Sequence, residues 1–355
     1  MIGIDLDYGK STLEVELPDD ATVFTPDGSG EPPPLEDPAG AVRAALAAPH
    51  GLPPLRELVG RGSKVAIAFP DRVKGGEHQL AHRKVTLPIV IEKLVAAGVD
   101  LADIRLICAV GLHRKNTHDE MAAYLPEAIL KQFGSEQLFN HDAEDPDGIV
   151  DLGRSELGDH LQFNRACAEA DLCIVLGHSQ GNPYGGFSGG HKTFTTGLTT
   201  WRSIAGHHVP STMHRPDFVP ITTDSHFRSQ LRAIGNGIQD QLGKRFFVID
   251  AVIGHGSRIL AVFAGDVDEV EQRSWPLARE RTDVSLDMEP ADILVVGLPR
   301  DFHYGPGMGT NPILMGQAIA AVVARAAGAF REGGVVIAAS KCDGWFNDEW
   351  FPSYQ

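Results

Sequence analysis

Short apolar runs, separated by charged, glycine-rich or proline-rich connections, recur along the chain and predict the strands of an α/β protein. Val65 to Phe69 is a buried-strand run that ends at Pro70-Asp71-Arg72. Ile104 to Val110 repeats the pattern and delivers Gly111-Leu112-His113-Arg114. Leu172 to Leu176 does so again, feeding residues 177–184 into a glycine-rich loop. Further strands are predicted at Phe246 to Ile249 and Ile259 to Phe263, and Leu13, Val15 and Leu17 alternate as in a strand near the start. Helices are predicted over Ala41 to Ala48, over Pro88 to Ala97 with proline in the first turn, and over Thr200 to Gly206. Thr117 and Glu120 form a capping box that opens a helix through Tyr124. A polar helix from Asp266 to Arg281 leads to a strand at Asp292 to Val296. The helix Pro312 to Phe330 and the strand Val335 to Ala339 complete a βαβ unit. The expected organisation is two α/β domains with mainly parallel sheets, one over residues 1–275 and a second over 285–355.

Composition narrows the function classes. The chain has 355 residues, of which 43% are apolar and 22% charged, enough for two cores. A net charge of −16 argues against nucleic acid or an anionic membrane surface as partner, because both require a basic footprint. No apolar stretch is long enough to span a bilayer, and Met1-Ile2-Gly3-Ile4-Asp5 lacks the basic and apolar regions of a secretion signal, so a cytoplasmic protein is expected. Cys108, Cys167, Cys173 and Cys342 have no Cys-x-x-Cys spacing and read as buried apolar residues.

The chemistry concentrates in Gly185-Gly186-Phe187-Ser188-Gly189-Gly190-His191-Lys192, followed by His207-His208. Its small residues permit positive φ and close approach of a bound group, and Lys192 at its end is a candidate phosphate partner or amine nucleophile. The plainer alternative is a strand-to-helix turn with an exposed lysine. Two other glycine patterns are set aside. Gly9-Lys10-Ser11 has the wrong spacing from Gly3 for a phosphate loop, and Gly305-Pro306-Gly307-Met308-Gly309 has the wrong spacing for a dinucleotide fingerprint. His113, between a strand end and a helix start, sits where α/β enzymes keep catalytic groups. His78 and His82, four apart, lack the glutamate of a zinc protease motif and read with Arg83 and Lys84 as a solvated face.

The glycine octapeptide with His208 resembles the signature of the nickel-pincer lactate racemase family. Tyr8-Gly9-Lys10 running into residues 13–18, Asp71-Arg72, and Gly111-Leu112-His113-Arg114 with Thr117 and Glu120 are similar to that family in the same order. The resemblance implies an active site in the interdomain cleft lined by Asp71, His113, Lys192 and His208. It implies a nickel-pincer nucleotide, a pyridinium-3,5-dithiocarboxylic acid mononucleotide with nickel, attached covalently to Lys192. His208 is then the nickel ligand, Asp71, Ser188, Gly189 and Gly190 contact the cofactor, and His113 is the general base. Implied partners are a small-molecule 2-hydroxy acid and the cofactor-synthesis enzymes.

Several positions depart from the family pattern. Asn182 stands where a second histidine is usual, with His178 and Tyr184 as nearby replacement candidates. Arg72 and Lys74 share the place of a substrate-binding arginine. Leu314 and Gln317 stand where a glutamine and a lysine face the substrate, leaving Arg72, Lys74, Asn182 and Gln317 as the candidate substrate contacts. Lys341 to Gln355 end the chain earlier than family members do, an expectation of an incomplete second domain. The implied activity is racemisation or epimerisation of a 2-hydroxy acid other than lactate, by hydride transfer to the cofactor. The alternatives are a one-sided nickel-pincer oxidoreductase and a non-catalytic cofactor-binding homologue.

Overall fold

Three of the apolar runs pair side by side because strands buried on both faces can only be satisfied inside a sheet. A computed structural model of the chain describes residues 1–24, 31–73, 75–182, 185–283, 287–300 and 308–346. Its six-stranded sheet runs in the order Ile259–Gly265, Phe247–Ile253, Leu172–Ser179, Val65–Pro70, Ile104–Ala109, Leu138–Asn140. All neighbours are parallel except the first two. Alternate residues feed two cores. Ile67, Phe69, Ile174, Leu176 and Ile249 pack into one, and Ala66, Ala68, Cys173, Val175 and Val248 into the other with Phe194 and Phe246.

A four-stranded sheet in the order Phe330–Ser340, Ala291–Pro299, Ile2–Gly9, Ser11–Leu17 forms separately. Residues 1–29 and 284–355 make one compact unit and residues 30–283 the other. The expected domain of residues 1–275 thus loses its opening strands, because Tyr8 and Gly9 pair in parallel with Leu298 and Pro299. Among the described residues no helix is long and apolar enough to cross a membrane.

The helix expected from Pro88 starts six residues earlier, at His82, and runs to Ala96 with Pro88 inside it. Its first turn is buried rather than solvated. His82 contacts the Ile249 carbonyl at 3.3 Å and Thr86 at 2.9 Å, and burial holds its pKa down at about 4. Arg83 is completely buried against the Tyr124 ring, 4.2 Å from its centroid. Three of the cysteines are buried as expected, whereas Cys342 is exposed and its thiol donates to the Thr310 carbonyl at 3.0 Å.

Candidate active site

In the six-stranded sheet the chain first steps outward from Val65–Pro70 to Ile104–Ala109 and then returns to Leu172–Ser179 on the other side. That reversal puts a topological switch point at the carboxyl ends of Val65–Pro70 and Leu172–Ser179, the usual ligand position in open α/β sheets. Asp71 and His178 flank it. Asp71 directly follows the strand Val65–Pro70, and His178 lies near the end of its parallel neighbour Leu172–Ser179. Asp71 is buried, and its carboxylate lies 2.6 Å from Nδ1 of His113. An ionised carboxylate there holds Nδ1 as the donor, so Nε2 is the ring's acceptor nitrogen.

The loops carrying this pair are tied together by Asn116, which the sequence reading did not single out, and by Arg83, which it placed on a solvated face. Asn116 accepts from the Arg72 amide at 3.0 Å and from the Tyr124 hydroxyl at 2.7 Å, and donates to the Arg114 carbonyl at 3.2 Å. Arg83 donates to the carbonyls of Pro70, Asp71 and Gly76. Thr117 and Glu120 form the expected capping box, and Arg114 pairs with Glu120. Gly111, at φ 56°, turns the chain so closely against the helix His191–Gly197 that an added Cβ would lie 2.5 Å from the Thr196 carbonyl oxygen.

The glycine loop leads into that same helix, with Lys192 in its first turn. The Ser188 hydroxyl donates to the His178 carbonyl at 2.8 Å and accepts from the Gln180 amide at 3.2 Å, so it holds the loop. The Gly190 amide donates to Asp250 and the His191 amide to Glu271, both at 2.8 Å. Lys192 Nζ lies 5.4 Å from the centroid of the buried Phe227 ring. The rings of His207 and His208 meet the same phenylalanine edge-on, each at 5.6 Å. His208 reaches solvent, yet crowding by protein and then the nearby charges of Lys192 and His113 push its pKa down to about 3. Its imidazole is therefore neutral at pH 7, and with Nδ1 turned to His207 at 2.7 Å, Nε2 is the nitrogen it offers to a metal.

Asp71, His113, Lys192 and His208 thus gather at the carboxyl edge of one sheet. Residues 8–218 match the lactate racemase N-terminal domain family. The chain belongs to this family. A lactate racemase from Thermoanaerobacterium thermosaccharolyticum is 24% identical over 355 residues, covering 96% of this chain and 75% of its own. Another from Lactiplantibacillus plantarum is 25% identical over 306 residues, covering 85% and 68%. The structure of the Thermoanaerobacterium lactate racemase apoprotein superposes with a TM-score of 0.73 at 24% identity, covering 96% of this chain and 75% of that one. A Thermotoga maritima protein superposes at 0.53 with 16% identity, covering 77% and 63%. Homology to lactate racemases supports an enzyme of the racemase kind.

The remaining positions expected from the lactate racemase pattern fall differently. Asn182 is buried in a two-stranded ribbon opposite Gly186. Arg72 directs its guanidinium to Glu77 at 2.6 Å. Leu314 is buried, and Gln317 is half-buried on the helix Pro312–Arg325 of the smaller unit. Tyr184, Lys74 and residues 301–307 lie outside the described residues.

The two carboxylates at the loop titrate in opposite directions. Burial and the neighbouring Glu271 push Asp250 up to about 7 from its ordinary 3.8. Burial also penalises charge on Glu271, but His191 and Arg228 prevail and hold it at about 2 instead of 4.5. Glu271 therefore adds stability that is present above pH 4.5 and lost as pH falls towards 2. Asp250 adds stability that is present below pH 3.8 and lost as pH rises through 7. Between pH 4 and pH 8 the wild-type chain should lose roughly 4 kcal/mol relative to Asp250→Asn, as read from urea midpoints at each pH. Parallel pH profiles for the two proteins would show that Asp250 is ionised throughout.

Proposed function

We propose that the chain is a nickel-pincer nucleotide-dependent racemase or epimerase of a 2-hydroxy acid other than lactate. The observation that carries this reading is the convergence of an Asp71-held His113 with Lys192 and a neutral His208 at one sheet edge. These residues suit the anchoring of the cofactor. Lys192 offers an amine for covalent attachment, and the imidazole of His208 is a suitable nickel ligand. When bound, the cofactor supplies an electron-poor ring that accepts the substrate α-hydrogen as hydride.

His113 does the proton work. Nε2 takes the proton of the 2-hydroxyl as the carbonyl forms and returns it in the reverse direction, a role suited to an imidazole. Asp71 keeps Nδ1 as the donor through both steps. Asn182 is a carboxamide and accepts no proton under ordinary conditions, so it serves as a hydrogen-bonding contact. His178, near the end of the strand next to the one that Asp71 follows, is the proposed base for the second face. Arg72, Lys74 and Gln317 remain candidate substrate contacts, and Tyr184 a second candidate base.

A panel of 2-hydroxy acids and aldonates, each supplied as one isomer to enzyme produced with the cofactor-synthesis enzymes, tests the reading. Loss of optical purity with the α-deuterium retained is expected for at least one member. Full exchange of that deuterium with solvent would contradict hydride transfer, and release of 2-oxo acid without interconversion would make the protein the one-sided oxidoreductase.

A further inference from the structure

A glycine loop ahead of a helix usually reads as an opening where backbone amides meet a bound anion. Here the space beside its Gly189 and Gly190, and beside Gly177 on the strand that precedes it, is filled from within the protein. A Cβ on Gly177 would lie 2.2 Å from Oδ1 of Asp250, and one on Gly189 2.3 Å from its Oδ2. A Cβ on Gly190 would lie 2.1 Å from Oε1 of Glu271. Both carboxylates are buried and accept the amides of Gly190 and His191, the two residues before Lys192.

They come from different elements and are themselves braced. Asp250 stands inside the strand Phe247–Ile253, and Ser179 Oγ lies 3.2 Å from its carboxyl group and 2.9 Å from Ser274 Oγ, so one hydroxyl bridges the two. Glu271 lies on the helix Val267–Thr282 and pairs at 3.0 Å with the buried Arg228, which donates to the Phe187 carbonyl at 3.0 Å. The ligand atoms of His191, Asp268 and Glu271 lie within 4.8 Å of one another, as a metal site requires. Arg228 on Glu271, and Arg232 at 3.8 Å from Asp268, already supply the opposing charge there.

We propose that Asp250 and Glu271 are positioning residues for Lys192, built-in acceptors that occupy the amide nest ahead of it and fix where its amine emerges. With those amides taken, the nest is closed to the phosphate of any ligand, and a nucleotide phosphate must be held elsewhere. The importance of this position rests on Lys192 being the attachment residue, but the test does not depend on it.

Two measurements on the chain without cofactor decide the matter. In the wild-type protein, amide hydrogen exchange at Gly190 and His191 should be slowed on the order of 10³-fold relative to an unstructured peptide, as for buried, bonded amides. Competitive acetylation by acetic anhydride, read by peptide mass, gives the reactivity of Lys192 relative to the exposed Lys131. Asp250→Ala and Glu271→Ala should change that ratio about five-fold or more, the shift available from one lost hydrogen bond. Asp250→Asn, which keeps an acceptor for the Gly190 amide, should stay within about two-fold of wild type. A merely structural role would lower the melting temperature without moving the ratio.

Unprotected amides in the wild type overturn the proposal, whether or not the alanine variants fold. So does a wild-type ratio in a folded alanine variant, or an asparagine variant that behaves like alanine. If the ratios move as expected but no cofactor is ever found on Lys192, the positioning stands and the cofactor reading falls.

Discussion

Replacement of His113 by alanine should lower turnover by about 10²- to 10⁴-fold, the usual contribution of general acid–base catalysis. The effect should be confined to chemistry. His113 is carried by the loop after Ile104–Ala109, whereas Lys192 and His208 come from the helix His191–Gly197 and from the end of Trp201–His207. Lys192 modification and nickel content should therefore match those of wild type. Asp71→Asn should fall between the two, because a carboxamide no longer dictates which ring nitrogen carries the proton. Steady-state rates on a confirmed substrate, with mass and nickel measured on the same preparations, check both. Near wild-type turnover in His113→Ala would make that histidine a structural residue held by Asp71.

The second large effect is expected at Lys192. Lys192→Arg keeps the positive charge near Phe227, His207 and His208 but removes the amine that can be acylated, so it should carry no adduct and show no measurable turnover. Its melting temperature should stay close to that of wild type. An arginine variant that retains turnover would show that the lysine serves only as a charge.

The strand ends were legible because each apolar run stops abruptly at a cluster of polar residues, as at Phe69-Pro70-Asp71 and Val110-Gly111-Leu112-His113. The capping box at Thr117 and the helix start at Thr200 were readable from local chemistry alone. Long-range pairing was not. Nothing local to residues 1–17 shows that their sheet partner is Ala291–Pro299, because strand pairing across the length of a chain leaves no short-range pattern. Buried charge was missed for a different reason. Arg83 and His82 resemble surface residues until their partners, the loop carbonyls and Ile249, are in place. One signal was available, since Asp250 interrupts the apolar run Phe247-Val248-Ile249-Asp250-Ala251-Val252-Ile253. A carboxylate in a strand buried on both faces requires partners, and here they are the loop amide and Ser179. The glycine loop was read as a place where a bound group comes close, and what lies against Gly189 and Gly190 in the structure is the protein's own carboxylate oxygens, from Asp250 and Glu271.

Attachment at Lys192 is the claim on which the functional account turns, and intact mass measurement of the chain produced alongside the cofactor-synthesis enzymes tests it most directly. The account predicts a single covalent adduct that peptide mapping places on Lys192, with nickel in the same preparation and no adduct in Lys192→Arg. A chain of unmodified mass and without nickel from those cells would contradict it.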